Sequence, residues 1–175
     1  MDIEIINIGD ELLIGQVVNT NASFMSEELN KVGLNVNRVT TIADDANEIE
    51  LSVLNALEHA DCILITGGLG PTKDDITKYT LAKIFESEMD EDENVLANIK
   101  RIFDHRGYTL TPTNRLQALV PKKCRVIENL VGTAPGMCFE KEGKLIISMP
   151  GVPFEMKAMM QRHVIPILLS HYTFQ

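Results

Sequence analysis

The stretch from Ile63 to Ile76, I-L-I-T-G-G-L-G-P-T-K-D-D-I, constrains the fold of this chain more than any other. A short apolar run, Cys62 to Ile65, stops abruptly in Thr66-Gly67-Gly68. Gly70 and Pro71 complete a tight bend, two adjacent carboxylates follow, and a helix-like pattern begins. In an α/β protein this is a strand delivering a ligand loop to its carboxyl end. Glycines there permit positive φ and let a ligand approach the backbone. Asp74 and Asp75 suit either a hard cation or the cap of the next helix.

The same sequence grammar recurs at the start of the chain. Ile3, Ile5, Ile6 and Ile8 are β-branched and apolar, as befits a strand covered on both sides. Gly9-Asp10-Glu11 ends that run with another glycine bend bearing acids, and Leu12-Leu13-Ile14 is expected to pack the loop down. Phe24, Met25, Leu29 and Val32 recur at helical spacing up to Gly33, with Asn19, Thr20 or Asn21 as cap. A second strand is expected within Leu34 to Ile42. Asp44-Asp45 reads as a turn and cap, before an amphipathic helix carrying Ile49, Val53, Leu54 and Leu57.

Beyond the central loop, Ile76 to Phe85 reads as a helix. The acid-rich run Glu86 to Glu93 reads as a solvated turn leading into a helix from Glu93 to Arg106, whose apolar stripe is Val95, Ile99, Ile102 and Phe103. Lys122-Lys123-Cys124-Arg125 is the one dense basic patch, either a solvated turn or a phosphate contact. Val126-Ile127, Met137 to Phe139 and Leu145 to Met149 read as later strands, the last two as a hairpin. Phe154 to Leu169 reads as the final helix, bent or interrupted at Pro166.

The fold class expected is α/β: a three-layer α/β/α sandwich with a mainly parallel sheet, one domain over residues 1–175. Right-handed crossovers would place the glycine bends on one edge of the sheet. The loops around Asp10, Gly67 to Asp75, Gly132 to Gly136 and Pro150 to Pro153 should then converge. Glycine-bend amides can hold phosphate oxygens. Carboxylates among Asp10, Glu11, Asp74 and Asp75 can hold Mg²⁺ or another divalent metal, and Lys73 either offsets charge on a leaving phosphate or stays solvated.

Composition narrows the function classes. A formal net charge of −9 argues against nonspecific nucleic-acid binding and against docking on an anionic membrane. The ligand expected is a phosphorylated small molecule. Cys62, Cys124 and Cys138 form no Cys-x-x-Cys pair, and the N-terminus lacks the basic start and apolar run of a signal peptide, so a cytoplasmic location with reduced thiols is expected. The four histidines have no zinc spacing, and no nucleophile elbow, Walker A loop or G-x-G-x-x-G is present.

Four segments carry a resemblance: G-D-E-L-L-I-G-Q-V-V-N-T-N (Gly9 to Asn21), T-G-G-L-G-P-T-K-D-D-I-T (Thr66 to Thr77), G-T-A-P-G-M (Gly132 to Met137) and P-G-V-P-F-E-M (Pro150 to Met156), with Asn114 and Gln117-Ala118 besides. On these the chain resembles the MoaB/Mog-like molybdopterin-binding fold family, and within it the N-terminal domain of CinA, the competence/damage-inducible protein. The resemblance implies a nucleotide- or pterin-binding domain. In CinA-type domains it implies ADP-ribose pyrophosphatase activity with a divalent metal, giving AMP and ribose 5-phosphate. In the wider family it implies molybdopterin binding or adenylylation. A noncatalytic nucleotide-binding or homo-oligomeric assembly module is the third reading.

The resemblance puts the family's acidic positions on Asp74 and Asp75 and on Asp10 and Glu11, so metal ligands are expected among these four, and the catalytic candidates are Asp74 and Asp75 together with the neighbouring Lys73. It puts ligand contacts on Gly9, Asn19, Asn21, Thr66, Gly67, Gly68, Gly70, Thr72, Asn114, Gly132, Thr133, Pro150 and Gly151. Nothing in the sequence resembles the linking domain or the C-terminal amidase domain of full-length CinA proteins, so amidase activity is not expected.

Overall fold

The computed structural model describes residues 1–69 and 76–172. The chain opens with β1 (Ile3–Ile8) and a single helical turn, α1 (Asp10–Leu13). It continues through α2 (Thr20–Lys31), β2 (Val36–Ile42), α3 (Ala46–His59), β3 (Cys62–Thr66) and α4 (Thr77–Ile84). A small excursion follows: β4 (Met89–Glu91), α5 (Glu93–Arg106), α6 (Pro112–Arg115), a 3₁₀ turn (Leu116–Ala118) and β5 (Leu119–Pro121). Then come β6 (Arg125–Ile127), β7 (Gly136–Lys141), β8 (Lys144–Met149), α7 (Pro153–Met159), a π turn (Met160–Val164) and α8 (Ile165–His171).

The main sheet has six strands in the order β2-β1-β3-β8-β7-β6. The four strands β2, β1, β3 and β8 run parallel. β7 returns antiparallel to β8, and β6 is antiparallel to β7. All residues of β1 and β3 are buried. Successive side chains alternate between two cores, as the strand repeat requires. Ile3, Ile5, Cys62, Leu64 and Ile147 pack with Met25 and Leu29 of α2 and with Met156, Met160 and Leu168 of the final helix. Ile6, Ile8, Ile63, Ile65 and Ile146 pack with Ile49, Val53 and Ala56 of α3 and Leu81 of α4. Helices therefore cover both faces, giving the three layers that the doubly apolar strands called for. Each fully buried Ile, Leu or Met side chain contributes about 1.5–3 kcal/mol. A third cluster, Val95, Leu96, Ile99 and Ala118, joins α5 to the 3₁₀ turn.

Three expectations change. The acid-rich run is not merely a solvated turn: Met89–Glu91 pairs antiparallel with β5, and Arg115 grips Glu91 through two hydrogen bonds of 2.9 and 3.0 Å. Only Asp92, capping α5 through Val95 N–H, and Glu93 play the helix-start role. The basic patch faces that run, with Lys122 on Glu88 and Lys123 donating to the Phe85 carbonyl, and it takes no part in the strand-end loops. Leu13 and Ile14 do not pack the first loop down, since they are 53% and 68% exposed.

The final helix stays continuous through Pro166. The proline ring and its missing N–H cannot serve an α-helical bond to Arg162. The turn before it widens instead, and Ile165 N–H donates to the Met160 carbonyl five residues back. No helix among the described residues is long and apolar enough to cross a membrane.

Candidate functional site

Parallel pairing brings the carboxyl ends of three central strands side by side. Asn7 lies opposite Thr66, and Thr66 opposite Met149. Gly67 follows with φ of 106°, a conformation that L side chains rarely adopt. A Cβ there would stand 2.2 Å from the Ile8 carbonyl oxygen, and a Cβ on Gly151 would stand 3.1 Å from Gly67 Cα. Glycine is needed because three backbones meet. Gly68, with φ of 65°, continues the bend, and its Cβ would strike the Thr77 hydroxyl.

This arrangement revises one expectation. The Gly67 and Gly9 amides are not open to phosphate: Gly67 N–H donates to the Met149 carbonyl and Gly9 N–H to the Ile42 carbonyl, both at 3.1 Å. Those two glycines shape the floor of the site, and their donors are spent on the fold.

Above this floor lies a cleft of about 580 Å³, walled by the loop before α2, the bend after β3, the 131–134 loop and the bend after β8. Of the expected ligand contacts, Gly9, Asn19, Asn21, Thr66, Gly67, Gly68, Gly132, Thr133, Pro150 and Gly151 all line it. Glu11 also lines it, and Asp10 sits at its edge, accepting the Asp44 N–H at 3.2 Å. Gly70, Thr72, Lys73, Asp74 and Asp75 lie outside the described residues. Asn114 is not brought to the cleft. It sits in α6, where it bonds the Thr111 hydroxyl through its side chain and its amide, closing a local cap.

The two asparagines before and within α2 divide their work. Asn19 caps the helix, accepting Ala22 N–H at 3.2 Å. Asn21 reaches across the strand ends: its Nδ2 donates to the Gly151 carbonyl at 2.9 Å and to Thr66 Oγ1 at 3.3 Å. The Thr66 hydroxyl in turn donates to the Pro150 carbonyl at 3.1 Å. α2, β3 and the bend after β8 are thus tied by one polar chain.

Five lining residues carry chemistry to which sequence reasoning gave no role in the site: Asn7, Asp44, Arg106, Gln117 and Glu155. Asp45, not Asp44, caps α3, accepting from Asn47 and Glu48 N–H, and Asp44 is left beside Gly68. Glu155 lies against Gly132 and accepts from Asn129 Nδ2 at 2.8 Å, while Asn129 also holds the Ala134 carbonyl. Gln117 is 4% exposed, and its Nε2 donates to the Leu69 carbonyl at 3.1 Å. The sequence did hold a signal for Gln117, a long amide side chain beside the apolar Ala118, but gave it no direction.

The carboxamides share a further property. Each places its NH₂ group on a protein oxygen: Asn7 on the Thr40 carbonyl at 3.5 Å, Asn21 on Gly151 and Thr66, Gln117 on Leu69. The contacts of Asn21 and Gln117 fix which end is oxygen, while the Asn7 contact is at the limit of hydrogen-bond length. Asn7 Oδ1, Asn21 Oδ1 and Gln117 Oε1 are then buried with no hydrogen-bond partner among the described residues. An unmet buried acceptor costs about 1–3 kcal/mol, and all three belong to residues that line the cleft. Among the described residues, no three His, Cys, Asp or Glu side chains gather closely enough to hold one.

Comparison with known proteins places the chain. The family model described as "Probable molybdopterin binding domain" matches residues 4–170, and the chain belongs to that family. A CinA-like protein of Flavobacterium psychrophilum is 46% identical over 174 residues, covering 98% of this chain and 41% of that relative. One of Chloroherpeton thalassium is 45% identical over 172 residues, again with 41% of the relative covered. The structure of CinA from Thermoplasma acidophilum, described as of unknown function, superposes with a TM-score of 0.85 at 41% identity, covering 95% of this chain and 97% of that one. The molybdopterin biosynthesis enzyme MoaB of Thermus thermophilus superposes at 0.63 with 18% identity, covering 97% and 92%, and so shares the fold. Within the family, then, this is a CinA-like domain with a MoaB/Mog-like fold. It spans about two fifths of the length of these curated relatives.

Proposed function

We propose that the strand-end cleft binds a phosphorylated heterocyclic small molecule of the pterin or nucleotide class, with molybdopterin as the first candidate. The observation that carries this reading is one cleft of about 580 Å³ lined by Asn7, Asn21 and Gln117, three residues whose carboxamide oxygens have no hydrogen-bond partner among the described residues. Pterin and purine rings present ring N–H and exocyclic amino donors, which such oxygens accept. The volume lies within the usual range for small-molecule sites, about 300–1,000 Å³. Membership of a molybdopterin-binding family supports the same class.

Hydrolysis of the ADP-ribose pyrophosphate is the second reading. Asp44 beside Gly68, with Asp10 bonded to its amide, favours it by placing two carboxylates at one end of the cleft. A divalent ion would need further ligands, and Asp74 and Asp75 are the expected sources. The described residues alone do not form that site.

Calorimetric titration of molybdopterin, AMP and ADP-ribose, each with and without Mg²⁺, separates the readings. Saturable binding that weakens about tenfold in Gln117→Leu supports the binding reading, since an acceptor to the ligand is removed. No binding of any of the three refutes it. AMP appearing from ADP-ribose supports the second reading, and intact ADP-ribose under every divalent ion tried removes it.

A further inference from the structure

We infer that Arg106, at the end of α5, meets the anionic end of the ligand and sets the cleft's preference for phosphorylated over unphosphorylated compounds. The inference rests on the reading of the cleft as a ligand site, and goes beyond it by naming which wall takes the phosphate.

The position of Arg106 on its helix is the first argument. α5 buries Val95, Ile99 and Ile102, and Arg106 continues that stripe four residues further on. Arg106 itself is exposed, one turn beyond the last buried position of the stripe, and both Ile102 and Arg106 line the cleft. The helix ends directly after it, with Gly107 at φ of 68° returning its N–H to the Phe103 and Asp104 carbonyls. That stop fixes where the last turn points.

Charge is the second argument. The cleft lining includes Glu11, Asp44 and Glu155, and Arg106 is its only cationic residue among the described ones. A phosphorylated ligand entering an acid-bearing cleft needs a counter-charge. Other arginines of this region are engaged: Arg101 donates to Asn98 Oδ1 and the Leu130 carbonyl, and Arg115 is bound to Glu91. Arg106 forms no ion pair or side-chain hydrogen bond among the described residues.

A helix C-terminus alone favours a cation through its exposed carbonyls. That role predicts a small stability change and no effect tied to ligand charge. The test therefore reads ligand charge. Two matched pairs are titrated by calorimetry into the full chain: AMP with adenosine, and molybdopterin with its dephosphorylated form. Whichever pair binds is then measured on Arg106→Ala and Arg106→Lys.

In Arg106→Ala, the phosphorylated member should weaken about ten- to a hundredfold, the usual worth of a charge-assisted hydrogen bond. Its unphosphorylated partner should change less than about twofold. Arg106→Lys should recover part of the loss, because the charge remains while the forked geometry is gone. Equal weakening of both members, or no weakening of either, overturns the assignment while leaving the ligand-site reading intact. Failure of both pairs to bind the unmodified chain overturns the assignment, and overturns the ligand-site reading as well when ADP-ribose also fails to bind.

Discussion

Replacing Gly67 by alanine tests the claim that the floor of the cleft is made of converging main chain. The new Cβ would lie 2.2 Å from the Ile8 carbonyl oxygen, whereas ordinary contact begins near 3.4 Å. The obstacle is backbone in a buried strand, so the ends of β1 and β3 must separate. An L residue held in the left-handed region costs about 1–2 kcal/mol. Loss of the Gly67 N–H bond to Met149 adds about 0.5–1.5 kcal/mol. The substitution should therefore cost about 1.5–3.5 kcal/mol, a large share of the 5–15 kcal/mol typical of a folded domain. At about 2–4 °C per kcal/mol for a chain of this size, Tm should fall by roughly 3–14 °C. Gly132→Ala is the internal control. Its Cβ meets the tip of Glu155, a side chain that can rotate away, so the cost should be about 1 kcal/mol, the worth of the Asn129–Glu155 hydrogen bond. Urea unfolding of both variants decides the matter. A Gly67→Ala midpoint within error of the unmodified protein, or equal costs for the two, would show that the three strand ends do not meet as described.

Further substitutions probe the polar framework and the thiols. Asn21→Ala removes the link from α2 to Thr66 and Gly151, and should cost about 1–3 kcal/mol in denaturant unfolding; an unchanged midpoint would mean that the link carries no weight. Asn129→Ala, at a residue 6% exposed, removes bonds to the Ala134 carbonyl, Glu155 and the Val131 amide, and should cost about 2–4 kcal/mol and loosen the 131–134 loop; full amide protection there would refute this. Burial pushes the Cys62 thiol far up, Cys124 up to about 12 and Cys138 up to about 11. In the unfolded chain these thiols ionise near pH 9, while the folded chain keeps their protons, so stability should fall as pH rises from about 9 toward 11. Urea midpoints at pH 8 and pH 10.5 measure that slope, and a rise across the interval would contradict the burial. At pH 8 the native thiols should also react with a thiol reagent far more slowly than those of the unfolded protein.

The strands that carry the site were legible because they are buried on both faces. Four isoleucines within Ile3–Ile8 and the apolar run from Cys62 to Ile65 mark them, and the glycines after them show where each strand must end. The convergence of the bends follows from parallel topology, which alternating strands and helices imply. Individual roles were harder to read. Asp44 and Asp45 are adjacent carboxylates, and only the entry angle of α3 decides that Asp45 caps it while Asp44 stays at the cleft. Asn19 and Asn21 differ likewise by two positions on one helix start. The pairing of Met89–Glu91 with Leu119–Pro121 joins segments 30 residues apart against a strongly acidic local composition, and tertiary contact outweighs that composition. Arg106 was read only as the end of its helix, although its position four residues past Ile102 was already visible.

Because Ile8, Gly67 and Gly151 touch through main-chain atoms, the base of the binding site has almost no side chain to exchange. Divergence among relatives that keep this junction would have to act through the surrounding loops and through α5. Redesign for a different ligand has the same freedom: exposed wall residues such as Arg106 can be replaced, while the surface beneath them is inherited with the fold.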